Sequence, residues 1–404
     1  MQLAYKFLGF FAAFAMASLS GFAQHAAPRV SRRVQDLPPA DVNILASYYS
    51  QDGTHSPVTG GIGTEELTDV TPTIIVNVPL DTVTNLLVNF GMDFYSSASS
   101  DNIDYSVSSA SSSDTRTHIN VGLSRRNSLN RTTKSLTIGG STEYDYQSVS
   151  LSAGWAQASR DGNRELSLGG QVFYDAWTLI YPVELRGNGQ LVDTNKRQSF
   201  NLSATVSQVI NRRMQASLSA DLVYQTGLLS TPFHRVYVQE QEEALVEQLP
   251  GSRLKLPIGL RVNYYLSDLL TARMFYRFYM DDWGIMGNTV EVETPVKFGP
   301  FFSIYPFYRY HTQTAADYFN PYKQHTISQE FYTSDYDLAD VSSHKVGLGV
   351  RYSPLFGVAR FGLPFTSNST MLKSIELRAS QYWRSDGLKA FLISTDLGFT
   401  IPSE

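Results

Sequence analysis

Residues 374–401 read SIELRASQYWRSDGLKAFLISTDLGFTI, and their alternation decides the fold. On the first limb Ile375, Leu377, Ala379 and Trp383 share one face, while Glu376, Arg378, Ser380 and Tyr382 share the other. The chain reverses over Arg384-Ser385-Asp386-Gly387. On the second limb Phe391, Ile393, Leu397, Phe399 and Ile401 oppose Ala390, Ser394, Asp396, Gly398 and Thr400. A side-chain period of two belongs to a β-strand. A hairpin whose apolar face is rich in aromatics has the pattern of membrane-barrel strands, because lipid demands an apolar exterior and tolerates no unpaired edge.

The same period recurs upstream. Leu86, Val88, Phe90, Met92 and Phe94 alternate with Leu87, Asn89, Gly91, Asp93 and Tyr95. Ala272, Met274, Tyr276, Phe278 and Met280 alternate with Arg273, Phe275, Arg277 and Tyr279. Such segments are about 10–14 residues long, enough for a tilted strand to cross hydrocarbon. Their number is about sixteen, with a range of roughly 14–18. The reading is therefore an all-β fold, a transmembrane antiparallel β-barrel over residues 41–404. Connections give an independent test. The odd-numbered ones hold the long connections near 51–68, 96–114, 177–196, 226–253 and 312–342, along with short ones near 144–147, 281–287 and 384–387. The even-numbered ones are mostly short, near 79–83, 125–132, 158–163, 210–213, 266–268 and 298–300. That is the long-outside, short-inside habit of outer-membrane barrels. One stretch, 354–371, is long on the short side; with Pro354 and Pro364 it leaves room for a further hairpin and a count of eighteen.

Composition agrees. The 404 residues hold 24 Tyr and 23 Phe, but only 17% are charged, and no apolar run beyond the N-terminus reaches the length of a spanning helix. Cysteine is absent, which excludes disulfides and thiolate chemistry. A net charge of −5 carries no nucleic-acid signature. Lys6, the apolar run Phe7–Leu19 and the small residues before Gln24 form a secretory signal peptide, residues 1–23, with cleavage expected after Ala23. Residues 24–40, with Pro28, Pro38 and Pro39, read as a flexible periplasmic segment. The expected location is the bacterial outer membrane, reached by export. Phe399 precedes the tail Pro402-Ser403-Glu404, so the aromatic that insertion machinery reads is expected to be internal.

Parity places charges on the inward faces. Candidates to line the lumen are Arg261, Arg273, Arg277, Arg309, Arg351 and Arg378, with Glu291, Glu293 and Glu376. Arg116 and His118 occupy the same face of the strand around Thr117–Leu123. A barrel of this size has an aqueous interior, so these groups either select solutes or pair across strands and brace the wall. The loops yield weaker signals. Gly60, Gly61 and Gly63 resemble a phosphate loop, but no Lys-Ser/Thr follows and a turn is the expectation. Asp52, Glu65, Glu66 and Asp69, with Asp101, Asp104 and Asp114, match no calcium-loop spacing. Ser96–Asp114 is nearly a serine tract, read as a surface loop. Glu240, Glu242, Glu243 and Glu247 around Leu245 and Val246 suggest a short amphipathic helix. Tyr318, Phe319, Tyr322, Phe331, Tyr332 and Tyr336 are expected to pack in the mouth and constrict it. His234, His325 and His344 lack metal-site spacing. No catalytic residue, metal or cofactor is expected.

The stretches SYYSQDGTHSPVTGGIGTEELTD, DFYSSASSDNIDYSVSSASSSDTRTH, SRDGNRELSL, FYDAWTLIYP and the closing SIELRASQYWRSDGLKAF resemble the domain of unknown function 3570 family. That resemblance implies an exported bacterial outer-membrane barrel and brings no substrate or site residue with it. The functional expectation is a channel or substrate-uptake barrel with a charged aqueous lumen. Its partners would be outer-membrane lipid and a small solute or protein, and not nucleic acid. The alternative is a barrel plugged by its loops that serves as a docking or assembly component.

Overall fold

A strand with hydrocarbon on one face satisfies its backbone only by pairing along both edges. The computed structural model shows how this chain does so. It describes residues 37–98, 113–179, 181, 183–185, 193–362 and 369–402. The stretch 1–23 expected to be a signal peptide, most of the 24–40 lead and the centre of the serine-rich loop lie outside the described residues.

Leu37–Glu404 forms one compact unit. In chain order its strands are β1 (Ala40–Asp52), β2 (Glu66–Pro79), β3 (Thr84–Ala98), β4 (Ser113–Asn127) and β5 (Thr132–Thr142). Then come β6 (Tyr146–Ala158), β7 (Arg164–Leu179), β8 (Asp193–Asn211) and β9 (Met214–Gly227). The two-residue strands β10 (Arg235–Val236) and β11 (Leu245–Val246) pair only with each other. The wall resumes with β12 (Ser252–Tyr265), β13 (Thr271–Asp281), β14 (Met286–Glu293), β15 (Val296–Lys297) and β16 (Phe302–Gln313). It ends with β17 (Val341–Tyr352), β18 (Ala359–Gly362), β19 (Ser369–Arg384) and β20 (Lys389–Ile401). Successive wall strands pair antiparallel, and β20 also pairs with β1 from Ala40↔Ile401 to Asp52↔Lys389, which closes the ring.

Sixteen staves make the wall. β15 continues β14 beyond Pro295, since both pair with β16; proline has no N–H to give the ladder. β18 pairs with the start of β19, whose remainder pairs with β17, so it prolongs the β17 stave. The extra hairpin considered for 354–371 is not formed by its described residues, and the count stays at sixteen. Residues 363–368 lie outside the described set.

The outer face carries a broad apolar band. Leu202, Ile138, Val149 and Leu218 are each more than half exposed, as lipid-facing side chains of a barrel must be. Outward aromatics recur towards both rims, among them Tyr174, Tyr224, Tyr310 and Trp383 at one end and Phe298, Phe302 and Tyr352 at the other, where amphipathic rings suit the membrane interface. Most of the fully buried apolar side chains, including Val236, Val238, Trp283 and Ile285, gather instead at the end bearing the long loops.

Candidate functional site: a charged wall beneath a loop cap

The inward faces divide the barrel in two. From β4 to β9 the interior is mostly Ser, Asn and Gln; Asn120, Ser150, Gln171 and Asn201 border a cavity of about 560 Å³. From β12 to β19 the interior is charged. Here Glu293 accepts from Arg273 Nη1 at 2.8 Å and from Arg378 Nη1 at 2.9 Å. Glu376 accepts from Arg378 Nε at 2.7 Å and lies 4.0 Å from Arg351 Nη1. Five of the expected luminal residues thus form one alternating chain of charge. Arg378 spans β17 and β16 to reach Glu293 because Gly349 lies beneath it. A Cβ there would come within 3.1 Å of Arg378 Cγ.

The remaining cations behave differently. Arg261, Arg277 and Arg309 form no ion pair with any described carboxylate, and neither does Lys345. Arg309 sits opposite Glu291 on one side and opposite Lys345 on the other. Like charges directly across a ladder are unfavourable, so this placement is not explained by bracing the wall. Arg277, Arg309 and Lys345 border a cavity of about 480 Å³ whose upper wall includes Glu65 and Asp337. Arg261 stands apart, over the Phe275 ring at 5.4 Å. On the opposite side of the barrel Arg116 Nε lies 3.5 Å from Glu143, and His118 lies 3.9 Å from Asp93. The eleven expected residues therefore fall into a paired chain, an unpaired basic set with Glu291, and a separate pair on β4.

Above the charged wall, three connections interlock into a cap: 53–65, 228–251 and 314–340. Arg235, 3% exposed, donates Nη1 to Val58 O at 2.6 Å and Nε to Glu184 at 2.6 Å. His55 stacks on Tyr336 with ring centres 4.0 Å apart. Gly60 and Gly61 turn with φ of 83° and 86°, which only glycine adopts without strain. They bring the first loop against Tyr237 and Tyr336. The second and third loops exchange backbone hydrogen bonds between Gln248 and Tyr332 at 2.7 and 3.1 Å. Tyr318 packs edge-on against Trp283 and Phe331, so the loop aromatics gather at the mouth.

Where an amphipathic helix was expected around Glu240–Glu247, the structure has the β10–β11 ladder. Glu240 adopts φ 62°, a turn conformation that no helix accommodates. Glu247 is turned inward, 4% exposed. It accepts from Thr231 N at 2.6 Å and from Thr333 Oγ1 at 2.5 Å, and its Oε1 lies 3.4 Å from His234 Nδ1. His234 Nδ1 is also 3.9 Å from Asp335 Oδ2. Burial works to lower the pKa of His234, but Glu247 and Asp335 outweigh it and hold it up. Burial likewise favours protonated Glu247, yet His234 and the Thr231 and Thr333 donors keep its pKa below the usual value. His234, Glu247 and Asp335 offer donor atoms within 4.8 Å of one another. The His234 spacing gave no hint of this: Glu247 lies 13 residues on in the same loop, and Asp335 comes from another loop altogether. Among the described residues the acids of the first loop do not converge in this way; in the second loop Asp114 meets Glu143 and Asp145, while Asp101 and Asp104 lie outside the described residues.

A family model described as "Protein of unknown function (DUF3570)" matches residues 24–359. The chain belongs to that family. Among curated proteins no sequence matches. Among solved structures, the siderophore receptor PirA from Acinetobacter baumannii aligns over 87% of this chain and 54% of its own, at 10% identity and a TM-score of 0.44. This chain therefore spans about half the length of that receptor. A bacterial polysaccharide outer membrane secretin covers 91% of this chain and 99% of its own, with 11% identity and a TM-score of 0.44. OccK1 (OpdK) from Pseudomonas aeruginosa covers 89% and 98%, with 6% identity and a TM-score of 0.39.

Proposed function

We propose that this DUF3570 barrel is an outer-membrane channel for small anionic solutes, with the loop cap narrowing its outer entrance. The observation that carries the reading is the set Arg277, Arg309 and Lys345, which borders a cavity under the cap without carboxylate partners. Neighbouring Arg273, Arg351 and Arg378 are each in contact with Glu293 or Glu376. In a water-filled passage, a run of cations without ion-pair partners raises the local anion concentration and sets permeability. The paired chain beside it would brace the wall and leave the basic set to face solute. Outer-membrane lipid would contact the exposed apolar band.

Reversal potentials in planar bilayers under a KCl gradient test this directly. The wild-type barrel is expected to prefer chloride, and Arg309→Ala with Lys345→Ala is expected to bring the permeability ratio close to one. A cation-selective wild type, or a double variant with unchanged selectivity, would rule the reading out. The interlocked cap favours a second reading, a closed barrel that docks a partner on its loops. A properly folded wild type that never conducts would support it.

A further inference from the structure

We infer that His234, Glu247 and Asp335 form a divalent transition-metal site that staples the 228–251 loop to the 314–340 loop. The donor set is one imidazole nitrogen and two carboxylate oxygens, which suits zinc or a neighbouring first-row cation. Ligands at about 2.0–2.1 Å in a tetrahedral zinc site stand roughly 3.4 Å apart. Here His234 Nδ1 is 3.4 Å from Glu247 Oε1 and 3.9 Å from Asp335 Oδ2, and all three donors lie within 4.8 Å. Contraction by a few tenths of an ångström along the longer edges would complete three ligands, with water as the fourth.

The carboxylates are held as metal ligands usually are. Each accepts a backbone N–H through one oxygen and turns the other towards His234. Glu247 Oε2 accepts from Thr231 N at 2.6 Å, and Asp335 Oδ1 accepts from Asp337 N at 2.9 Å. Thr333 donates to Glu247 Oε1 and accepts from Asp335 N at 3.0 Å, so one residue links both acids. Such outer partners fix ligand orientation in metal sites. Charge points the same way. Two carboxylates and one histidine share a pocket in which Glu247 is buried. The nearby Arg235 and Arg384 are directed to Glu184 and to Asp337 and Asp386. A dication would neutralise what a single imidazolium cannot. The remaining cap contacts between these loops include backbone hydrogen bonds, packed rings, the Lys323–Glu242 ion pair and the Tyr332–Gln248 side-chain hydrogen bond, which a metal bond would reinforce.

The test uses the full chain purified in detergent micelles, stripped with chelator and titrated with ZnCl₂ by calorimetry. Wild type is expected to bind one Zn²⁺, while His234→Ala and Asp335→Asn each bind it at least tenfold more weakly. Heat-modifiable electrophoretic mobility checks that each variant retains a closed barrel. In parallel, Zn²⁺ is expected to slow proteolysis within both loops of the wild type and to leave the rate unchanged in His234→Ala. Wild type that takes up no Zn²⁺, or His234→Ala that binds it as tightly as wild type, would overturn the site. Either result is independent of whether the barrel conducts.

Discussion

The wall and the cap of this molecule are stabilised in opposite ways. In the wall, large apolar side chains such as Leu202 and Ile138 face outward and stay exposed, so burial between side chains contributes little. Stability comes from a hydrogen-bond ladder that closes on itself and from lipid around it. In the cap, Val236 and Val238 are almost wholly buried and Arg235 and Glu247 are buried with partners. The cap is built like a small soluble domain set on a membrane cylinder. The contrast teaches that luminal charges in the wall can change without endangering the fold, whereas charges in the cap cannot.

The sharpest way to break that comparison is Glu247→Ala. It leaves the Thr231 N–H, the Thr333 hydroxyl and His234 without their acceptor, and loss of one partner in a buried ionic network costs about 3 kcal/mol or more. The expected result is at least a hundredfold faster cleavage in the 228–251 and 314–340 loops, with the barrel still heat-modifiable. Loss of the barrel itself would show that wall and cap are one cooperative unit.

A smaller effect is expected from pH. Burial raises the Glu65 carboxyl from its ordinary value to about 7, with Asp337, Asp386 and Asp335 adding to the rise and Arg384 opposing it. Because the closed cap holds this proton more tightly than an open loop would, protonation favours closure. That contribution is complete below about pH 4.5 and is lost as pH rises through about 7. Proteolysis of the 53–65 loop in the presence of chelator should therefore speed up between pH 5 and pH 8, and Glu65→Gln should flatten the dependence. A rate that falls with rising pH would contradict the assignment.

The smallest expected effect belongs to the wall. Glu293→Gln removes the shared partner of Arg273 and Arg378. Although Glu293 is itself buried, both arginines remain partly exposed, at 48% and 36%, so the barrel should lose no more than about 1 kcal/mol per pair. Denaturant unfolding in micelles checks the stability. The same variant frees two cations and should increase any anion preference in the bilayer assay. A loss of several kcal/mol would mean that the paired chain holds the wall together and is not an accessory to it.

Much of the wall was legible in sequence because a half-lipid, half-water strand has to alternate. The positions of Arg273, Arg277, Glu291 and Glu293 followed from parity alone. Parity could not say which charges would pair: Arg378 finds Glu293 three staves away only because Gly349 clears its path. Prolines also shaped the wall in ways that parity did not record. Pro295 interrupts one stave, and the proline-flanked 354–371 stretch extends another in its described part. The cap was the least legible part. Its aromatics were expected at the mouth, but the acidic run around Glu240–Glu247 suggested a helix, and Glu247 instead became a buried acceptor.

By itself, then, the sequence determined the barrel, a stave count near sixteen and the two-sided alternation of its strands. The alternation is local, and hydrocarbon admits only one way of satisfying the backbone. Only the tertiary structure decided which luminal charges are neutralised, and that His234, Glu247 and Asp335 meet. Those outcomes depend on loops far apart in the chain, and no local period records which of them touch.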